Sequence, residues 1–250
     1  MAELNINGAT PTGIYVGSTA ASAVYYGNVK VWEASIPAKT MRFDFKYDHF
    51  DPTTLVDYGG IGATWTHVED DVYDFYFNST DWGTRTLTNI HSTGNLFRTF
   101  SSSSNDRPFS THSFDIIDAN LEGVTNVEQL LGGSAMSGLQ SIASIRNTSS
   151  VTNFNSFLSM GRVTAAYTSI PLFDTSSAVD VTEMFRNAQN VTTGALAMYQ
   201  QMSTQSNPPT TITDCFASCG SNTVTGAAEL AQIPTSWGGT MTENFDGVLG

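Results

Sequence analysis

The chain has 250 residues, a formal net charge of −13 at pH 7 and a sequence pI near 4.4, and only 13% of its residues are charged. Because affinity for phosphate depends on Lys and Arg, this balance argues against nucleic acid as a partner, and it disfavours anionic membrane surfaces for the same reason. No stretch of the sequence approaches the length of a membrane-spanning helix, which excludes membrane insertion.

The first residues, from Met1 to Gly8, contain neither a basic segment nor an apolar run, which predicts that there is no secretory signal. The protein is therefore expected to be made in a host cytoplasm. Its polar residues are nevertheless mainly Ser, Thr, Asn and Gly rather than charged residues. A protein made without an export signal but with such a surface fits a phage structural protein, which leaves its host by lysis and is located in the virion.

Aromatic and β-branched residues alternate between glycines in residues 13–32, which predicts two or three short strands with tight turns. An isolated hairpin is marginally stable in water, so this segment needs a partner. We interpret residues 1–33 as a docking or oligomerisation segment, the alternative being simple packing on the same chain. The aromatic candidates for assembly contacts are Tyr15, Tyr25, Tyr26 and Trp32.

Residues 34–113 have a β-like pattern, since Met41 to Tyr47 alternates apolar and polar residues and more aromatic strand-like segments follow. We predict a β-rich module that caps the first turn of the following domain. An acidic cluster in this module, Glu69 to Asp74, has oxygen ligands that suit calcium, but the spacing of an EF-hand loop is absent. A solvated acidic loop is the favoured interpretation.

A six-residue pattern occurs five times in residues 114–250, and these five segments are called copies 1 to 5 below. They are Asn126–Leu131, Asn153–Leu158, Asp180–Phe185, Thr211–Phe216 and Thr240–Phe245. Their closing apolar residues are separated by 27, 27, 31 and 29 residues, which is typical of a solenoid.

Each copy has the features of a helix start. Its first residue is Asn, Asp or Thr, and the fourth is Gln129, Ser156, Glu183, Asp214 or Glu243, which is a capping box or close to one. Apolar residues at the second, fifth and sixth places would share one side of such a helix. Each copy is therefore predicted to open a short helix around the cap residues Asn126, Asn153, Asp180, Thr211 and Thr240.

A second polar register precedes three of the caps, with Asn120, Asn147 and Asp174 spaced 27 residues apart. Stacked on successive turns, these side chains would satisfy backbone groups at a tight bend, and the alternative is an ordinary surface turn. Short strands are predicted ahead of this register at Gln140–Ile145 and Thr168–Phe173.

The segments Ser169–Ser177 and Val181–Ala188 resemble the BspA-type leucine-rich repeats, a family found in bacterial surface proteins, mycoplasma lipoproteins and phage virion proteins. The resemblance covers about half the chain. The N-terminal strands also resemble short segments of phage virion proteins. The repeat family implies a solenoid of about five short strand-helix turns, so the expected fold class is α+β, with an N-terminal β-rich module followed by that solenoid. It implies a binding role and no catalytic residues.

No catalytic or metal motif stands out in the sequence. Cys215 and Cys219 lack the further Cys or His ligands of a zinc site, and we interpret them as buried free thiols because a disulfide between them would close a very small loop. The nucleophile elbow, the phosphate-binding loop and the dinucleotide fingerprint are all absent from the sequence. We therefore expect no enzyme, no cofactor and no bound metal.

The favoured hypothesis is a phage virion protein, a fibre, spike or decoration subunit that binds other virion proteins, copies of itself or a host surface glycan or protein. By analogy with other fibres, the expected oligomeric state is a homotrimer. Aromatic residues between the copies, Tyr167, Tyr199 and Trp237, are the candidates for surface binding, with core packing as the alternative. The competing hypotheses are a bacterial cell-surface adhesin and a tail-spike polysaccharide depolymerase.

Overall fold

The computed structural model describes four short strands within residues 1–35 and, with side chains, residues 36–55, 63–81, 112–133, 136, 138–160 and 166–239. The chain divides into two units, Met1–Pro37 and Ala38–Gly250. The β-rich segment and the repeats therefore lie in one unit, and the expected boundary near residue 114 falls at the start of a strand inside it.

The first unit contains two antiparallel strand pairs. Strand β1 (Tyr15–Val16) pairs with β2 (Thr19–Ala20), and β3 (Ala23–Tyr26) pairs with β4 (Val29–Glu33). The second pair has an irregularity between Val24 and Tyr25. Each pair is a separate two-stranded sheet.

The second unit is built on a mixed sheet. Its strands are β5 (Thr40–Asp44), β6 (Thr64–Glu69), β7 (Val72–Tyr76), β8 (Phe114–Asn120), β9 (Leu139–Ile142) and β10 (Ile145–Arg146). The order is β10-β8-β5-β7-β6, with β9 also paired to β8. Strands β9 and β10 run parallel to β8, whereas the other pairs are antiparallel.

The inner face of this sheet is aromatic. Met41, Phe43 and Phe45 are fully buried, as the alternation in the sequence predicts for a strand with one face in a core. Phe43 and Phe45 both contact the rings of Trp65 and Phe114, at centroid distances of 5.3 to 6.2 Å. Such ring pairs add about 0.5–1.5 kcal/mol each beyond the burial of their area.

The outer face is charged, and its ion pairs join neighbouring strands. Arg42 on β5 makes two hydrogen bonds to Asp74 on β7, at 2.7 and 2.9 Å, and Arg146 on β10 donates to Asp118 on β8 at 2.8 Å. Asp115, which is 6% exposed, accepts hydrogen bonds from Lys46, Tyr47 and Ser141. These bonds connect β8 to the residues after β5 and to β9.

The copies are not helices, so the predicted solenoid of strand-helix turns is wrong. In copies 1 to 4 the fourth residue (Gln129, Ser156, Glu183 and Asp214) has φ between 53 and 56°, in the left-handed region that ends a right-handed helix. Copies 1 to 4 instead form overlapping β-turns. The first side chain does accept a backbone hydrogen bond, for example at 2.9 Å from Glu128 N to Asn126 Oδ1, but it forms a local turn rather than a helix cap.

Hydrogen bonds between successive copies replace the helical ones. The N–H groups of the second, fourth and sixth residues donate to the carbonyl groups of the first, third and fifth residues of the next copy, at 2.8 to 3.1 Å, as in Val127 to Asn153 and Gln129 to Asn155. This inter-copy ladder runs from copy 1 to copy 4. The second, fifth and sixth residues of copies 1 to 3 are fully buried, as the apolar pattern indicates.

The stack begins earlier and ends differently than predicted. Asp81 forms a parallel bridge with Asn126, so the pairing of the stack extends beyond copy 1 to a residue that follows β7. At the other end, Phe216 N donates to Trp237 O at 2.9 Å. Copy 5 lies outside the described residues, which end at Gly239 directly before it.

The two α-helices of the described residues occur between copies rather than within them. Helix α1 (Ala195–Thr204) follows copy 3 and α2 (Val224–Leu230) follows copy 4, which accounts for the longer intervals there. The predicted strand at Gln140–Ile145 corresponds to β9 and the start of β10. Within Thr168–Phe173 the strand-like pairing is limited to one bridge, between Ser169 and Thr193. The described fold is thus a mixed sheet continued by stacked turns, with two short helices.

The left-handed residue in each copy gives a test of this correction. We expect Asp214→Gly, at an exposed position with φ of 55°, to leave the free energy of unfolding unchanged or to raise it by up to about 1 kcal/mol. The reason is that relief of left-handed strain offsets the flexibility of glycine in the unfolded chain. Chemical denaturation followed by circular dichroism measures this free energy of unfolding.

The matched control is Gln200→Gly, at an exposed position inside helix α1, which should lose about 0.5–1 kcal/mol. Equal losses for the two variants would contradict the turn assignment.

Candidate binding groove

A regular bend precedes each of copies 2 and 3. In the first bend, the buried Thr148 donates its hydroxyl to the carbonyl of Asp174 in the following turn, at 2.6 Å. Its equivalent 27 residues later is Thr175, which is also fully buried. A regular stack would place another bend beside Thr175.

Helix α1 takes that place. Gln201 in the helix and Gln205 directly after it make hydrogen bonds to the bend that contains Thr175. Gln201 Nε2 donates to Phe173 O at 2.7 Å and to Thr175 Oγ1 at 3.1 Å. Gln205 Nε2 donates to Thr175 O at 3.1 Å, and its Oε1 accepts from the Thr175 hydroxyl at 3.3 Å. The hydroxyl of Thr175 therefore bonds to side-chain amides, whereas the hydroxyl of Thr148 bonds to a backbone carbonyl one turn earlier.

Local sequence explains why α1 forms here. Met198 and Met202, four residues apart, are fully buried on one side of the helix, and the helix begins after Gly194 with φ of 100°. A Cβ atom at Gly194 would lie 2.3 Å from the carbonyl oxygen of Ile170, so both the conformation and the close approach require glycine. Glu229 of α2 accepts from Leu196 N at 3.1 Å, which joins the two helices.

An open groove lies where α1 meets the preceding bend. Its first part encloses about 450 Å³ between Leu172, Phe173, Asp174, Ser176, Gln201 and Gln205. It shares Ser176 with a second part of about 380 Å³, which is lined by Val179, Asn207, Pro208 and Thr210 among others. We call the two parts together the insert groove.

Two apolar side chains at the insert groove are unusually exposed. Leu172 is 56% exposed and Val179 is 51% exposed, whereas Phe173 between them is 5% exposed. Asp174 and Ser176 are exposed polar residues of the same bend. The groove thus combines apolar surface with hydroxyl, amide and carboxylate groups, a mixture that suits ligand binding. Sequence reasoning missed it, although the 31-residue interval indicated an insertion.

The predicted aromatic contacts lie in the core instead. Tyr167 is 1% exposed and its hydroxyl donates to Leu158 O at 3.3 Å. Trp237 is 8% exposed and packs edge-on against the partly buried Tyr199, with the ring centroids 5.4 Å apart. Tyr167 and Trp237 are therefore core residues, the alternative that the sequence left open, whereas Tyr199 is only partly buried.

The polar register before the caps has mixed roles. Asn147 donates its side-chain amide to Asn120 Oδ1 at 2.9 Å, so these two stack, and Asn120 is 3% exposed. Asp174 Oδ1 accepts from Ser176 N at 2.8 Å within its own bend. The cap residues Asn126, Asn153, Asp180 and Thr211 form consecutive parallel bridges.

Other predicted residues lie outside what the structure describes. Tyr15 lies in β1, Tyr25 and Tyr26 in β3 and Trp32 in β4, but only their backbone is described. Thr240 is outside the described residues altogether.

Two residues of the acidic cluster on the β6–β7 hairpin, Asp71 and Asp74, already have side-chain partners. Asp71 lies 2.8 Å from His49 Nδ1, and Asp74 is paired with Arg42. Within the described ranges, no three His, Cys, Asp or Glu side chains are grouped so that they could hold a metal ion. Nor does any helix in those ranges have the length and apolar character needed to cross a membrane.

Cys215 and Cys219 are free and fully buried in copy 4 and the turn that follows it. Burial raises the pKa of both thiols, since the thiolate is the form that desolvation disfavours. The structure thus places both thiols away from solvent and holds them protonated near neutral pH.

We expect neither thiol to react with an aromatic disulfide reagent at pH 8 while the protein is folded, because the reaction needs an accessible thiolate. Both should react once denaturant is added, and Cys215→Ala should leave one reactive group. Absorbance of the released thiolate measures the reaction. Immediate reaction of a native thiol would contradict the burial.

Gln205 provides a test of the conclusion that side chains take the place of a missing turn of backbone. Gln205→Ala leaves the hydroxyl of the buried Thr175 without its described acceptor, and the free energy of unfolding should fall by about 1–3 kcal/mol. Gln200→Ala, exposed on the same helix, is the control and should change it by less than about 0.5 kcal/mol. Denaturant titration compares them, and similar effects would count against the role of Gln205.

Comparison of the chain with protein-family models, with curated proteins and with solved structures finds no match in any of the three.

Proposed function

We propose that the protein is a non-enzymatic structural protein of a phage virion, a fibre, spike or decoration subunit. Residues 1–37 attach it to copies of itself or to another virion protein. Residues 38–250 present a binding surface.

The observation that carries the proposal is the separate N-terminal unit. It consists of two small strand pairs, β1–β2 and β3–β4, each a sheet of its own. Two-stranded sheets are marginal in water and their outer edges offer N–H and C=O groups to another chain. Association with further strands is the physical means by which such a unit gains stability.

The second unit supports a role in display. Its copies are joined by the inter-copy ladder and share one continuous apolar core, so they form a stiff support whose exposed residues vary without disturbing the stack. Insertions in repeat proteins map to one face, often the binding face, and α1 builds the insert groove in this way.

The proposal is tested by the mass of the protein in solution. Full-length protein is expected to be a defined oligomer by light scattering, whereas residues 38–250 alone are expected to be a monomer. The division follows the unit boundary, which leaves the core of the second unit whole. Circular dichroism and a cooperative unfolding transition check that the shortened protein is folded.

An oligomer that persists without residues 1–37 would contradict assembly through the N-terminal unit. Two monomers would contradict self-assembly and restrict the proposal to attachment to a different virion protein.

A further inference from the structure

We propose that the insert groove binds a neutral glycan, a ligand assignment that rests on the display role proposed for residues 38–250. The groove is defined by the bend at Leu172 to Val179 on one side and by α1 and the following loop on the other. Three features of the groove select this ligand class.

The first feature is that two backbone carbonyls of the bend already have side-chain donors. A peptide that adds as a strand needs backbone groups along an exposed edge. At this edge the carbonyls of Phe173 and Thr175 already accept from Gln201 and Gln205. A peptide strand cannot use these two carbonyls, which favours recognition through side chains and a ligand that carries many hydroxyl groups of its own.

The second feature is charge. The residues that line the groove include one carboxylate, Asp174, and none of them is Lys or Arg. No Lys or Arg follows Arg186 in the sequence, and Arg186 is paired with Glu183. Phosphate, sulfate and carboxylate ligands are normally held by Arg or Lys, so anionic glycans are disfavoured.

The third feature is the combination of groups that remains. Ser176, Asn207 and Thr210 supply hydroxyl and amide groups that both donate and accept, and Asp174 accepts. Leu172 and Val179 supply exposed apolar surface for the C–H face of a sugar ring. Gln201 and Gln205, which line the groove, are held by hydrogen bonds to the buried Thr175, so binding orders few side chains.

The 27-residue spacing provides a matched pair of variants for the test. Ser176 lies in both parts of the groove, and Ser149 is its exposed equivalent in the preceding bend, where no helix is inserted. Ser176→Arg and Ser149→Arg change the net charge equally, but only the first places a long side chain in the groove.

The experiment is native electrophoresis of the full-length protein and both variants through gels that contain dextran, mannan, galactomannan or laminarin. Parallel gels contain heparin or polygalacturonate. We expect retardation in at least one neutral gel, an apparent affinity at least about tenfold weaker for Ser176→Arg, and no change for Ser149→Arg.

Absence of retardation in all four neutral gels, or retardation that Ser176→Arg leaves unchanged, would overturn the assignment. Retardation only by heparin or polygalacturonate would show an anionic ligand and overturn it as well. These results are independent of the mass measurement: an oligomer that binds no neutral glycan keeps the virion proposal, and a monomer that binds one through Ser176 keeps the groove while it contradicts self-assembly.

Discussion

The inter-copy ladder is the interaction on which the rest of the second unit depends. From copy 1 to copy 4, three hydrogen bonds join each pair of adjacent copies, and each bond contributes about 0.5–1.5 kcal/mol net. They form only because the fourth residue of these copies is left-handed, at a cost of roughly 1–2 kcal/mol for an ordinary residue. The ladder outweighs that cost, and it directs the N–H groups sideways to the next copy instead of along a helix.

The same requirement explains the insert groove. Wherever a turn of the stack is replaced by something else, the polar groups of the preceding turn still need partners in a dry environment. The glutamines of α1 meet this requirement at Phe173 and Thr175. A helix is thicker than one turn of extended chain, so it stands away from the bend and leaves space between Leu172 and Gln205. The groove is thus a geometric result of satisfying buried carbonyl groups with side chains.

Sequence patterns identified the repeats and their buried positions, because burial follows apolar spacing in a turn as well as in a helix. Val127, Leu130 and Leu131 are buried as predicted, yet the helix is wrong. A polar first residue with an acid three places later fits a local turn as readily as a helix cap, and a six-residue copy is too short for helix propensity to decide. The deciding contacts come from the next copy, 27 residues away. The groove could not be predicted from the sequence, because the length of an interval between copies does not indicate which face an insertion covers.

The pairing of Asp81 with Asn126 has a consequence for how the molecule folds. Later steps of the stack join residues 27 or 31 positions apart, whereas this first step spans 45 positions. Closing the longer loop costs about 0.5 kcal/mol more in chain entropy. The sheet and the stack are also joined closer in sequence, because β8 directly precedes copy 1 and pairs with β9 and β10, which precede copy 2. The Asp81–Asn126 pairing therefore adds a second connection between them, one that closes a longer segment of chain.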